Sequence, residues 1–251
     1  MRFRSATRAL AATALVACVL GGCAPDSNGS HRSAAAAAGP AATAGTAQHA
    51  LDELPVRAAA PMTGYDRTGK FGPAWSDSTT APGSHTSCRT RDDLLRRDLT
   101  DIRLKDGSRC IVASGVLNDP YTGKHITFRR GPGTSTAVQI VHAVALGATW
   151  RTGAAGLSQD QREALGNDPL NLITTSGPVN AAKSDQDAAT WLPPRTAFRC
   201  TYVARQIAVK AKYDLWVTSA EKASMTQVLT TCPDQVLPTD SSPEVVVPQP
   251  Q

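Results

Sequence analysis

The sequence predicts an α+β domain, on three observations. Two short β-rich runs flank the turn Asn118-Asp119-Pro120-Tyr121-Thr122-Gly123, whose residue types are those that reverse a chain. Two capping boxes, Ser158 with Gln161 and Thr218 with Glu221, each open a stretch of helix formers. After Cys200, the residues Val203, Ile207 and Ala211 recur at helical spacing, with Arg205 and Lys212 on other faces. Few strands and several helices, with no internal repeat, make the class α+β.

Taken in chain order, "CIVASGVLNDPYTGKHITFRR" (110–130) reads as a β-hairpin around that turn. Ala137-Val138-Gln139-Ile140-Val141 is a third strand that leads into His142, and a helix is expected over Ala143 to Trp150. "SQDQREALG" is a helix opened by Ser158 and stopped by Gly166. Asn171 to Thr175 is a short strand, and Trp191-Leu192-Pro193-Pro194 a packed turn. The helix after Cys200 and the helix "AEKASMTQVL" behind the second capping box complete the domain.

The termini differ in composition from this core. "MRFRSATR" carries three arginines and no acid, and an apolar run from Ala9 to Leu20 follows. This pattern is a secretory signal over 1–22, too short to span a membrane. "LGGC" resembles the bacterial lipobox, in which Cys23 carries lipid and becomes the mature N-terminus; simple cleavage is the alternative. Residues 23–60 are rich in Ala, Gly and Ser and read as a disordered linker, residues 61–232 as the domain, and residues 233–251 as a disordered tail.

Export frames the cysteines. Cys18 leaves with the signal and Cys23 is set aside for lipid, so Cys88, Cys110, Cys200 and Cys232 remain in an oxidising compartment. Four cysteines allow three pairings, and closeness in sequence favours Cys88–Cys110 and Cys200–Cys232. Each such loop would stabilise the fold by about 3 kcal/mol. No CxxC spacing occurs, which argues against a zinc site. The net charge is +5, and residues 61–232 hold 21 basic against 15 acidic side chains. That surplus suits a polyanionic partner.

The segment from His142 to Asp187 carries the chemistry. "NLITTSGPVNAAKSD" (171–185) follows the spacing NLxxxxxxxNxxKxD, and "VHAVAL" precedes it. This resembles the HNH, or ββα-metal, nuclease motif, in which a strand ends in Asp-His or His-His and a second strand leads to a helix bearing Asn or His. The flanking pieces "GYDR", "FGPAW", "LRRDLTD", "DPYTGK", "WLPP" and "RCTYVARQIAVK" resemble a secreted bacterial branch related to the C-terminal domain of GmrSD restriction endonucleases. The similarity covers about residues 63 to 232.

The resemblance implies a ββα-metal core with a β-hairpin before it and flanking helices, and it implies hydrolysis of DNA phosphodiesters. Such hydrolysis needs a base for water and a cation for the leaving oxygen. By the match, His142 is the general base and Asn171 orients it. Asn180, at the start of the last helix of the motif, is a ligand for Mg²⁺ or another divalent cation, with Lys183 and Asp185 beside it. No small-molecule cofactor is implied.

The main departure is Val141, which occupies the position of the metal-binding aspartate. Arg89, where relatives tend to carry an acid, and Ala145, where many carry proline, are lesser ones. Three readings follow: a degenerate nuclease that still binds nucleic acid or the cell envelope as a lipoprotein, a slow nuclease in which Asp168, Asp185 or Asp187 helps to hold the ion, or a core histidine without catalytic role. Lys183, Asp185 and Asp187 read equally as charges at a helix end. Arg129, Arg130, Arg195, Arg199 and Arg205 are candidate phosphate contacts, whereas His85 and His125 have no partner spacing.

Overall fold

The computed structural model describes residues 45–241 and residue 245. The expected signal at 1–22 and lipidation at Cys23 lie outside the described residues. Among the described residues, no helix is long and apolar enough to cross a membrane.

The hairpin expected around residues 118–123 is part of a three-stranded antiparallel sheet. It is formed by β1 (Leu99–Leu104), β2 (Val112–Asn118) and β3 (His125–Arg129), in the order β1-β2-β3. The turn is pinned by Asp119, whose carboxylate accepts from the Tyr121 amide and from the Thr175 hydroxyl at 2.8 Å. A second sheet pairs β4 (Val138–His142) antiparallel with β5 (Leu172–Ser176), so that Val141 faces Ile173 and His142 faces Leu172 across the ladder. Between these strands the chain forms α4 (Leu146–Arg151) and α5 (Gln159–Asn167). Directly after β5 comes α6 (Gly177–Lys183), packed on both strands. A Cβ at Gly177 would lie 2.7 Å from the Thr136 carbonyl oxygen, so only glycine lets the helix start this close to the entry of β4.

The sequence does not announce α3 (Thr90–Asp98), which joins the two sheets. Leu94 packs with Ile140 and Leu172, while Leu95 packs with Leu99, Val112 and Phe128. Its acids lie in the first turn and its arginines in the last, the favourable order for the helix dipole. Cys88, just before it, is bonded to Cys110, and Cys200 is bonded to Cys232, the two pairings expected from sequence separation.

At the centre lies α7 (Arg199–Lys212), flanked by α1 (Ala47–Glu53) and α8 (Ser219–Leu229). Residues 202–210 of α7 are buried all round, including Arg205, Gln206 and Lys210. Such burial needs partners. Lys210 is paired with Glu221 at 3.1 Å and donates to the Trp216 carbonyl at 2.9 Å, and Glu221 is also the reciprocal acid of the Thr218 capping box.

Several boundaries move. Residues 46–60, placed in the linker by composition, are ordered: Thr46 caps α1, Ala47 and Leu51 are fully buried, and the Arg57 and Ala60 amides donate to the Val217 and Arg151 carbonyls. The start of the expected tail is ordered too, since the Ala47 amide donates to the Gln235 carbonyl at 2.7 Å and Lys212 pairs with Asp240. The helix expected from Ala143 begins at Leu146, because residues 143–145 form a turn held by Asn171. Gly166 does not stop its helix, which runs on to Asn167.

Candidate active site

The succession β4, β5, α6 brings together residues far apart in the chain. His142 ends β4, Asn171 precedes β5 and Asn180 lies in the middle of α6 rather than at its start. A cavity of about 300 Å³ is lined by Tyr65, Arg67, Val141, His142, Asn180 and Asp185, among others. Four of the positions singled out from sequence thus share one space.

His142 is buried, with its Nε2 3.0 Å from the Gly166 carbonyl oxygen and its ring stacked on Trp75 at 6.0 Å between centroids. Burial pulls its pKa down to about 3. The Gly166 carbonyl opposes that shift, and the Arg67 and Lys183 cations add to it. The imidazole is therefore neutral at pH 7. A carbonyl can only accept, so Nε2 carries the proton and Nδ1 is left as the acceptor.

Asn171 does not reach the cavity. Fully buried, it clamps the turn after His142: Oδ1 accepts from the Val144 amide at 2.9 Å, Nδ2 donates to the Val144 carbonyl, and its own carbonyl accepts from the Ala143 amide at 2.7 Å. Asn180 donates through Nδ2 to Gln139 Oε1 at 2.7 Å, which turns its Oδ1 away from that contact. Val141 is buried, and its other neighbours are the core residues around Tyr202 and Val203.

Lys183 is fully buried, and its Nζ has no hydrogen-bond partner among the described residues. Burial lowers its pKa to about 8, against the opposing fields of Asp185 and Asp187. Asp168 is committed: it accepts from the Leu170 amide and the Tyr213 hydroxyl and pairs with Lys212 at 2.6 Å. Asp187 caps the turn that follows it, accepting from the Ala189 amide and the Thr190 hydroxyl. Asp185 is exposed on the cavity wall, with no hydrogen bond or ion pair among the described residues.

The candidate phosphate contacts are mostly spent on structure. Arg205 is fully buried and donates to the Leu170 carbonyl at 2.9 Å, Arg130 pairs with Asp92, and Arg199 donates to the Pro193 carbonyl. The Arg195 amide donates to the Tyr121 carbonyl. Arg129, His85 and His125 are exposed and are not among the residues that line the cavity. Arg89 stands at the N-cap of α3 without a capping bond, and Ala145 holds φ −57° and ψ 144°, a backbone shape proline also takes. Sequence reasoning missed Tyr65, Arg67 and Trp75 as site residues. The signal for them was present, because "GYDR" and "FGPAW" are pieces that resemble the family.

Among the described residues no three His, Cys, Asp or Glu side chains converge on one point. Asn180 and Asp185, which both line the cavity, nonetheless carry hard oxygen donors. They fit a cation such as Mg²⁺, which keeps several waters and is bound through one or two carboxylates together with substrate phosphate.

A protein of Arthroderma benhamiae described as an uncharacterized secreted protein is 42% identical over 192 residues, covering 76% of this chain and 86% of that protein. No solved structure matches the chain significantly. Residues 89–228 match the family described as GmrSD restriction endonucleases, C-terminal domain, a span that takes in both sheets, the cavity residues from Val141 to Asp185, and α7. The chain belongs to the family of GmrSD restriction endonuclease C-terminal domains.

Proposed function

We propose that the protein is an exported, metal-dependent DNA endonuclease of the HNH type, anchored by lipid at Cys23 and weakened by Val141. One observation carries the reading: β4, β5 and α6 place a neutral, ring-locked histidine on the same cavity as Asn180, in the chain order strand, strand, helix. Two disulfides and a relative described as secreted support export.

In this reading His142 accepts a proton from water through Nδ1, while the Gly166 carbonyl holds Nε2–H and Trp75 fixes the ring plane. Asn171 acts as a positioning residue, because it sets the turn through which the chain leaves His142. Arg67, exposed at the cavity, is placed to attract a phosphate. Asn180 would hold the divalent cation, whose chemistry when bound is to stabilise charge on the leaving oxygen. Val141 weakens this arrangement twice: it offers no oxygen to a cation, and it puts no negative charge beside an imidazole that burial has made a weak base.

The buried, apolar Val141 also favours a second reading, a binding protein that has lost catalysis and keeps the basic surplus of the domain for a polyanion. Nicking of supercoiled plasmid in Mg²⁺, Mn²⁺ or EDTA separates the two. The nuclease reading expects slow, EDTA-sensitive nicking that His142→Ala removes. Equal nicking by wild type and His142→Ala, or none under any condition, leaves the binding reading.

A further inference from the structure

We propose that Asp185 supplies the anionic oxygen that position 141 no longer offers to a divalent cation; the proposal rests on the nuclease reading for its purpose but not for its test. Three acids lie in the segment from Asn167 to Asp187 that follows His142 in the motif, and the structure separates them. Asp168 is buried and bound by Tyr213 and Lys212, so it has no oxygen to spare without breaking the core. Asp187 accepts from the Ala189 amide and the Thr190 hydroxyl through Oδ1 and does not line the cavity. Asp185 alone of the three lines the cavity with His142 and Asn180.

Two local features deliver it there. Ser184 leaves α6 with φ 47° and ψ −138°, a conformation that side chains disfavour, and so turns the chain back immediately before Asp185. Opposite, on α4, Gly147 leaves the space that the carboxylate fills: a Cβ at 147 would lie 2.9 Å from Asp185 Cγ and from one of its oxygens. A strained residue on one side and a missing side chain on the other are both explained if the carboxylate must stand in this place.

Asp185, just beyond α6, and Asn180, in its middle, then form a two-donor site, one anionic and one neutral. Such a pair binds a hard cation loosely and leaves most of its positions to water and to an incoming phosphate. Binding is expected to tighten when inorganic phosphate or a phosphodiester enters with the metal.

The experiment is calorimetric titration of Mn²⁺ into metal-free full-length protein and three variants, with thermal unfolding as the check on folding. Wild type is expected to bind one Mn²⁺. Asp185→Asn should weaken that binding by about tenfold or more, Asp187→Asn should leave it nearly unchanged, and Val141→Asp placed in Asp185→Asn should restore it. Undiminished binding by Asp185→Asn, an equal loss in Asp187→Asn, or no Mn²⁺ binding by folded wild type overturns the proposal. These outcomes are separate from the nuclease reading: nicking without Mn²⁺ binding rejects the metal site alone, and binding without nicking rejects the nuclease alone.

Discussion

Replacing Lys183 by methionine should make the protein more stable. Its ammonium is fully buried and no hydrogen bond from the described residues reaches it, while its pKa falls from 10.5 to about 8. That difference corresponds to about 3 kcal/mol by which the folded state disfavours the charged form. Below pH 8 the lysine is protonated in both the folded and the unfolded chain, so the whole cost is present. Between pH 8 and 10.5 the folded state releases its proton first, the unfolded state binds more protons, and stability rises with pH. Methionine has similar length and no charge to desolvate. Lys183→Met is therefore expected to gain up to about 3 kcal/mol at pH 7 and to lose most of that advantage by pH 10. Urea unfolding of both proteins in EDTA at the two pH values measures this. The difference cancels contributions from other titrating groups such as Lys210, which is unchanged in the variant. If Lys183→Met is the less stable protein at pH 7, or if its advantage does not change with pH, the ammonium has a partner in solution and the reasoning fails.

Other perturbations have equally definite directions. Ser184→Gly should raise stability by about 1 kcal/mol in thermal unfolding, since glycine tolerates the positive φ that serine holds there. Asn171→Ala should cost roughly 2–3 kcal/mol, because the buried Val144 amide loses its acceptor, and should remove whatever nicking wild type shows. Duplex DNA should bind less tightly as salt rises, which filter binding at two salt concentrations checks, given the surplus of basic side chains in 61–232.

The elements that a sequence can announce are those with their own punctuation. Both capping boxes form as expected from Ser158 and Thr218, and the Asn118–Gly123 turn makes its hairpin. The disulfide pairing was legible from separation alone. By contrast α3 passes into β1 at Leu99 with no glycine, proline or capping residue between, so nothing in 90–104 marks the change of period. α1 was hidden for another reason: only Ala47 and Leu51 of its seven residues are buried, too few to stand out against an alanine-rich approach. In the site, spacing was enough to bring His142, Asn180 and Asp185 to one cavity, because β5 and α6 follow each other without a loop. It could not show that Lys183 turns inward and Asp185 outward, since both lie in one short polar run whose exposure is decided by the turn at Ser184.

The central claim is that this cavity is a nuclease site from which Val141 removes one metal-binding carboxylate, a loss that Asp185 offsets only in part. Plasmid nicking by Val141→Asp, with and without His142→Ala, tests it most directly, provided unfolding shows each variant to be folded. The account predicts that Val141→Asp nicks faster than wild type in Mg²⁺ or Mn²⁺, that EDTA stops it, and that His142→Ala abolishes the gain. A folded Val141→Asp that nicks no better than wild type, or one whose activity survives the loss of His142, would contradict it.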